Sequence, residues 1–303
     1  MKYAGIALVL GASLLGCGPS GDRGIDAAGN GSNGSNGSNG SGGNQDNCSD
    51  SAKLVYTVDM ANTFAKFDPS TKTFSNLGTL SCPTTGGGIL GPPSPFSMGV
   101  DRNTIAWVLY DDGELFRVDI NNSLMCTKTS WSSPNGLMQF GMGFSTDTAG
   151  GTTDTLFVAG GTLPQGSTPT SSTLAKLDTG TMSASNVGTV QGWPELTGTG
   201  SAELWGWFPD PSNPRVEKID KASGSAATTY PESSLAGSPT AWAFAFWGGD
   251  FWIFLMKDSE TSTTVYQIDG MNGNIKSTTP TSSRVIVGAG VSTCAPVVIG
   301  REL

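Results

Sequence analysis

Apolar and polar positions along this chain repeat in a unit of about 50 residues. Each unit begins with a short apolar strand and continues with a second strand that ends in aspartate. Short runs rich in aromatic and β-branched residues, separated by Gly, Asp and Pro, predict antiparallel β-structure. The five aspartates are Asp68, Asp119, Asp178, Asp220 and Asp269, at spacings of 51, 59, 42 and 49 residues. Repeats of roughly 40 to 50 residues built from short strands are typical of propeller blades.

A second pattern places small residues at alternate positions of one strand per unit. It occurs at 96–100, 140–144, 197–200, 242–246 and 287–291. Alternation puts the small residues on one face of a strand. Strands crowded around a central axis have little room on one side. The pattern therefore predicts the innermost strand of each blade, with its large face packed on the neighbouring blade.

The phase of the two patterns predicts how the ring closes. The domain begins at Leu54, on the second strand of a unit, and ends on an innermost strand, Val285 to Cys294, with no outer strands after it. The last strand should complete the first blade and leave no unpaired edge. We therefore predict an all-β propeller of five four-stranded blades. An open β-sandwich and a six-bladed ring with one degenerate blade are the alternatives.

The N-terminal segment has the pattern of an export signal. A positive start precedes a twelve-residue apolar run, Ala4 to Leu15, which is too short to span a bilayer and suits a signal peptide over 1–16. The run leads to Gly16 and Cys17, which resembles the lipobox of bacterial lipoproteins, where the cysteine is acylated after the leader is removed. An ordinary secretory signal with a chance cysteine is the alternative.

Residues 17–50 are dominated by Gly, Ser and Asn and predict a flexible tether. Thirty residues of such coil reach about 30 Å. Gly18 after Cys17 resembles the pattern of lipoproteins sent to the outer membrane. The sequence thus predicts a propeller domain over 51–303, held at the cell envelope through a lipid anchor in the membrane.

The repeat region resembles secreted propellers with degenerate repeats of the YVTN or NHL type. Together with Cys17 and the tether, it also resembles uncharacterised bacterial lipoproteins that carry such a domain. The resemblance covers Cys17 and 51–298. It implies the fold and the location, and no functional residue is carried over from it.

The composition of the chain argues against one class of partner and several classes of catalytic and metal site. The chain has 16 basic residues, 25 acidic residues and a formal net charge of −9, and no basic cluster appears. Nucleic acid is therefore not a predicted partner. The sequence contains no histidine, which excludes Ser-His-Asp catalysis and histidine-ligated metals. We predict no metal and no cofactor.

Four cysteines remain besides Cys17, and an even number in an exported protein indicates two disulfides. Three connectivities are open, and buried free thiols are the alternative. Cys48 precedes the first strand of the domain and Cys294 ends the closing strand on the same side, so their pairing is favoured. Cys82 and Cys126 then pair by elimination.

The candidate binding face consists of acidic and aromatic residues near the innermost strands. The repeated aspartates indicate turns, since the same residue recurs in every unit. Glu195 differs because it directly precedes an innermost strand. Trp131, Trp193 and Trp242 lie in or beside segments that lead into innermost strands, where inter-blade packing is the alternative role. Long loops at 83–95 and 160–172 would stand beside them.

Two functions are compatible with these features. The favoured one is a non-enzymatic binding or scaffold module for an extracellular glycan, peptide or protein. The alternative is a hydrolase of extracellular glycan or lactone that uses acidic residues at the channel mouth. A single acid at Glu195 lacks the second carboxylate that glycoside hydrolysis requires.

Overall fold

A computed structural model describes residues 48–89, 91–163 and 169–298. The predicted signal peptide, Cys17 and the tether up to residue 47 lie outside the described residues. Within them the chain forms strands, turns and three short 3-10 segments.

The described residues form twenty strands. They are β1 (Val55–Asp59), β2 (Thr63–Asp68), β3 (Thr73–Thr79), β4 (Pro95–Val100), β5 (Ile105–Tyr110), β6 (Leu115–Asp119), β7 (Met125–Lys128), β8 (Gln139–Thr146), β9 (Asp154–Gly161), β10 (Ser171–Asp178), β11 (Ser183–Gln191), β12 (Glu195–Gly198), β13 (Leu204–Phe208), β14 (Arg215–Ile219), β15 (Ala226–Pro231), β16 (Pro239–Trp247), β17 (Asp250–Lys257), β18 (Thr264–Asp269), β19 (Ile275–Pro280) and β20 (Ile286–Gly290).

The strands assemble into five antiparallel sheets of four. Blade 1 has the order β20-β1-β2-β3, and blades 2 to 5 follow the chain from β4 to β19 in sets of four. The strands β20, β4, β8, β12 and β16 contact one another in that cyclic order and surround the axis. The domain is a five-bladed β-propeller, as predicted.

The last strand completes the first blade. β20 pairs antiparallel with β1, with Thr57 opposite Ala289. The Cys48–Cys294 disulfide bridges residues 246 apart and joins the two ends of the ring, and the Cys82–Cys126 disulfide forms as well. The closing strand is shorter than predicted, because the Ser292 hydroxyl accepts a hydrogen bond from the Cys294 amide and the chain turns there.

Small and large residues interlock between neighbouring innermost strands. A Cβ added at Gly99 would lie 3.3 Å from Met142 Cγ, and one at Gly290 would lie 2.8 Å from Val100 Cγ2. The crowding that selects small residues therefore comes from the next innermost strand rather than from the axis itself. Larger apolar clusters fill each of the five seams between blades.

The repeated aspartates accept backbone hydrogen bonds in the turns that follow them, as predicted. Asp178 Oδ1, for example, accepts the amides of Gly180 and Thr181 at 2.8 and 2.9 Å. In the fourth blade the predicted innermost strand, 197–200, stops early. The Thr199 hydroxyl accepts the Ser201 amide at 3.1 Å and turns the chain, so residues 199 and 200 leave the strand.

Candidate functional site

The two ends of the ring have different structures. We call the end where the innermost strands begin the loop end, and the end where they finish the tether end. The first residues of those strands are Pro95, Gln139, Glu195, Pro239 and Ile286. Residue 48, from which the predicted tether leaves, lies at the tether end through its disulfide to Cys294.

At the loop end a series of hydrogen bonds connects segments from blades 2 and 3. Asp111 Oδ2 accepts the Ile89 amide at 3.1 Å, and Asp111 Oδ1 accepts the Ser94 amide at 3.0 Å. The Gln139 side-chain amide donates to the Asp111 carbonyl at 3.1 Å. Its Oε1 accepts the Leu163 amide at 3.4 Å. Asp111 thus connects Ile89 and Ser94, which precede β4, to Gln139 at the start of β8.

Two glycines allow the first of these segments to approach the carboxylates of blade 2. A Cβ at Gly88 would lie 2.7 Å from Asp111 Oδ1, and one at Gly86 would lie 2.8 Å from Asp112 Oδ2. Burial raises the pKa of Asp112, and the charges of Glu114 and Asp111 add to the effect. This carboxyl therefore takes up a proton more readily than an exposed aspartate.

Glu195 lies inside the ring and not on its rim. The residue is 4% exposed, and Glu195 Oε2 accepts the Ser97 hydroxyl at 2.7 Å. Ser97 belongs to blade 2 and Glu195 to blade 4, so this hydrogen bond passes blade 3. Gly141 of blade 3 makes room for it, because a Cβ there would lie 2.6 Å from the Glu195 Cα.

The three candidate tryptophans occupy different environments. Trp131 and Trp242 are each 7% exposed and belong to the clusters between blades 2 and 3 and between blades 4 and 5. Trp193 is half-buried, and its ring would lie 3.6 Å from a Cβ at Gly161. Trp193 and Glu195 lie at the same end of β12, whereas Trp242 lies at the next seam. A binding role for these residues stays a prediction.

The tether end is closed by the chain segment after β20. Residues 291–295 are all buried. The Thr293 hydroxyl donates to Asp154 Oδ2 of blade 3 at 2.8 Å and accepts from Arg102 Nη2 of blade 2 at 3.0 Å. Since Thr293 follows a strand of blade 1, the segment extends across the end of the ring to reach them.

The same segment is fastened by further polar contacts. Arg102 donates to both carboxylate oxygens of Asp154, at 2.8 and 3.0 Å. The Ser292 hydroxyl donates to the Ala52 carbonyl at 2.6 Å, and the Gly248 amide donates to the Pro296 carbonyl at 2.7 Å. Together with the Cys48–Cys294 bridge, these bonds hold the end where the chain enters and leaves the domain.

Several residues of these hydrogen-bond networks have no sequence pattern that marks them as part of a site. Ser97 was visible only as a small residue in an alternating strand, and Gln139 only as the position before one. Asp154 lies 52 residues after Arg102 and 139 residues before Thr293, and no local sequence pattern links the three.

Within 48–89, 91–163 and 169–298, no three or more cysteine or acidic side chains are grouped so that they could hold a metal ion. In the same part of the chain no helix has the length and hydropathy needed to cross a bilayer.

Comparison with known proteins gives similarity to solved propellers only. No family model matches the sequence, and no curated protein matches it. Virginiamycin B lyase from Staphylococcus aureus is 12% identical, with a TM-score of 0.40 over 78% of this chain and 73% of that one. A luciferin-regenerating enzyme is 11% identical, with a TM-score of 0.45 over 80% of this chain and 76% of that one. These likenesses concern the fold alone.

Proposed function

We propose that this protein is a lipid-anchored lipoprotein of the cell envelope, placed in the outer membrane, whose propeller is a non-enzymatic binding module. Its ligand is an extracellular glycan, peptide or protein held at the loop end. The observation that carries the proposal is the contrast between the two ends of the ring. The end nearest the anchor is filled by a buried, disulfide-linked segment, while the opposite end carries the long segments and Trp193.

This arrangement suits a tethered receptor. A tether that joins the domain at Cys48 is attached at the tether end and leaves the loop end unobstructed. Pull applied through the tether acts on Cys48, and the disulfide passes it to Cys294, which follows the closing strand β20. The first blade would then resist being peeled away from the ring.

Metabolic labelling with a fatty acid tests the anchor. We expect the wild-type protein to be labelled and recovered with membranes, and Cys17→Ser to be unlabelled and released. A Cys48→Ser variant is the matched control and should keep its label. An unlabelled wild-type protein would contradict the lipid anchor.

An array of glycans and peptides tests the binding role, with the soluble Cys17→Ser protein as the probe. We expect retention of one ligand class without turnover, and weaker retention by Trp193→Ala. Release of shortened glycan or opened lactone would support the hydrolase instead. Equal binding by Trp193→Ala and the parent protein would show that the ligand does not bind at the loop end of blade 4.

A further inference from the structure

The segment Glu232 to Ser238 joins the outer strand of blade 4 to the innermost strand of blade 5 at the loop end. Hydrogen bonds near its start and its end attach it to blades 4 and 5. From blade 5, the Asp258 amide donates to the Ser238 carbonyl at 2.8 Å and Lys257 Nζ donates to the Ala236 carbonyl at 2.7 Å. The Glu232 amide donates to the Pro214 carbonyl at 2.8 Å, and the Gly237 amide donates to the Pro211 carbonyl at 3.0 Å. Near its end, the Ser238 amide donates to Asp258 Oδ1 at 2.8 Å.

The side chain of Glu232 is buried beneath this segment. The residue is 3% exposed, and its Oε1 has no hydrogen-bond partner among the described residues. Leu235, three residues later, packs into the apolar cluster that contains Trp207 and Trp242. Glu232 therefore begins a segment that reaches the seam between blades 4 and 5 through Leu235.

The seam leaves a second polar atom unsatisfied. The indole Nε1 of Trp207 is buried and has no hydrogen-bond partner in the described part of the chain. Buried polar groups without partners cost free energy, and opening the segment would let water reach them. The cost is much greater when the carboxyl group is ionised, because an isolated charge is then held in apolar surroundings.

The charged groups on the elements around Glu232 have partners other than its carboxyl group. Arg215 pairs with Glu217, and Asp210 accepts the Ser212 amide. On blade 5, Lys257 Nζ donates to the Ala236 carbonyl and Asp258 accepts the Ser238 amide. None of these charges contributes to the titration of Glu232. Burial alone raises the pKa of Glu232, to about 7.

We propose that Glu232 is a proton-controlled switch that keeps the segment Glu232 to Ser238 seated when protonated and releases it when ionised. In the seated state the segment covers the seam that holds Trp242. Release opens that seam at the loop end. The switch does not depend on the proposed ligand or on the lipid anchor.

The direction of the pH effect follows from the raised pKa. A carboxyl whose folded-state pKa is raised stabilises the seated state fully below its ordinary pKa, and this contribution is lost as pH rises through about 7. The ordinary value for Glu is about 4.3. Between pH 5.5 and 8.5 the equilibrium should therefore shift toward the open state by about 30-fold, with most of the change below pH 7.

Amide hydrogen exchange of the full chain tests this, with rates corrected for the intrinsic effect of pH. We expect the amides of Leu235 and Gly237 to lose about 30-fold protection between pH 5.5 and 8.5. The Leu80 amide, which donates to the Asn62 carbonyl at the corresponding place in blade 1, should keep its protection.

Two variants complete the test. Glu232→Gln should give protection that does not change with pH. Glu114→Gln should behave as wild type, because hydrogen bonds from Lys128 and Thr85 outweigh burial and lower the pKa of Glu114. Protection that is independent of pH in the wild type, or a wild-type profile in Glu232→Gln, would overturn the proposal. Should Glu232→Gln fail to fold, NMR titration of the wild-type Glu232 carboxyl decides, and a midpoint below about 5.5 would overturn it.

Discussion

The two ends of the propeller are built from the same repeated blade but are held by different kinds of contact. At the tether end, residues from blades 1, 2 and 3 meet through Thr293, Arg102 and Asp154, and a disulfide joins the chain ends. At the loop end, segments of unequal length rest on single carboxylates such as Asp111, and one of them covers a buried glutamate.

The difference concerns how contacts are distributed. The tether end is held by bonds that cross blades, so losing one of them affects the closure of the whole ring. At the loop end the connecting segments bond to the strands on either side of them, and the Gln139–Asp111 and Ser97–Glu195 hydrogen bonds also cross blades, so only a change within a segment should remain local. Binding residues on a rigid scaffold are commonly carried by segments of the second kind.

The largest expected effect comes from removing the closing strand. Deletion of residues 284–303 takes β20, Thr293 and Cys294 from the domain and leaves β1 with an unpaired edge and exposed apolar surface. We expect no cooperative thermal unfolding transition in calorimetry. A truncated protein that melts as cooperatively and at the same temperature as the full chain would show that the ring does not depend on this closure.

The two disulfides should contribute unequally to stability, because they close loops of different length. Replacing Cys48 and Cys294 with alanine removes a bridge between residues 246 apart, and the chain-entropy model gives an upper value of about 5 kcal/mol for it. The Cys82–Cys126 bridge spans 44 residues, for which the same model gives about 4 kcal/mol. Denaturant unfolding of both double variants measures the difference. A larger loss for the Cys82 and Cys126 variant would reverse the comparison.

A single methyl group should distinguish the ring interior from the loop end. In Gly143→Ala the new Cβ would lie 2.8 Å from the Thr197 Cα of the neighbouring strand. We therefore expect the free energy of unfolding to fall by about 1–3 kcal/mol. Gly87→Ala is the matched control, because no atom lies within 4 Å of its Cβ position. The free energy of unfolding of Gly87→Ala should differ from that of the parent protein by no more than about 0.5 kcal/mol. Equal effects in chemical denaturation would mean that β8 and β12 are not packed as described.

The smallest effect is expected for Ile89→Ser in the segment from Leu80 to Ser94. Ile89 is 49% exposed, and only its backbone amide contacts Asp111. The free energy of unfolding should change by less than about 0.5 kcal/mol. The same variant should weaken retention on the array if the loop end holds the ligand. A loss of several kcal/mol would show that the segment is part of the core.

Much of the architecture could be predicted because it is recorded in local patterns. The repeated Asp at the end of β2, β6 and their equivalents marked each hairpin, and the small residues of β8 and β16 marked innermost strands. The offset between these patterns predicted that β20 would pair with β1. The Cys48–Cys294 pairing followed from this offset, because the closure brings both chain ends to the same blade.

The candidate site was predicted less completely, since its contacts connect distant parts of the chain. Glu195 was singled out from its position before β12, but its partner Ser97 lies 98 residues away and had no signal of its own. Trp131 and Trp242 were candidates for a binding face, and both are largely buried in seams between blades. Trp193 alone of the three is half-exposed at the loop end.

The sequence by itself determined the strands, the number of blades and the closure of the ring. These depend on alternation and spacing, which operate over a few residues or repeat at regular intervals. The tertiary structure alone decided the state of individual charged groups. Glu195 and Glu232 are the same residue type and border strands of the same blade, one at the start of β12 and the other directly after β15. One receives a hydroxyl hydrogen bond across the ring, while the other is buried at a seam where burial raises its pKa. Burial and hydrogen-bond partners are properties of the assembled blades, because they depend on residues brought together only by the fold.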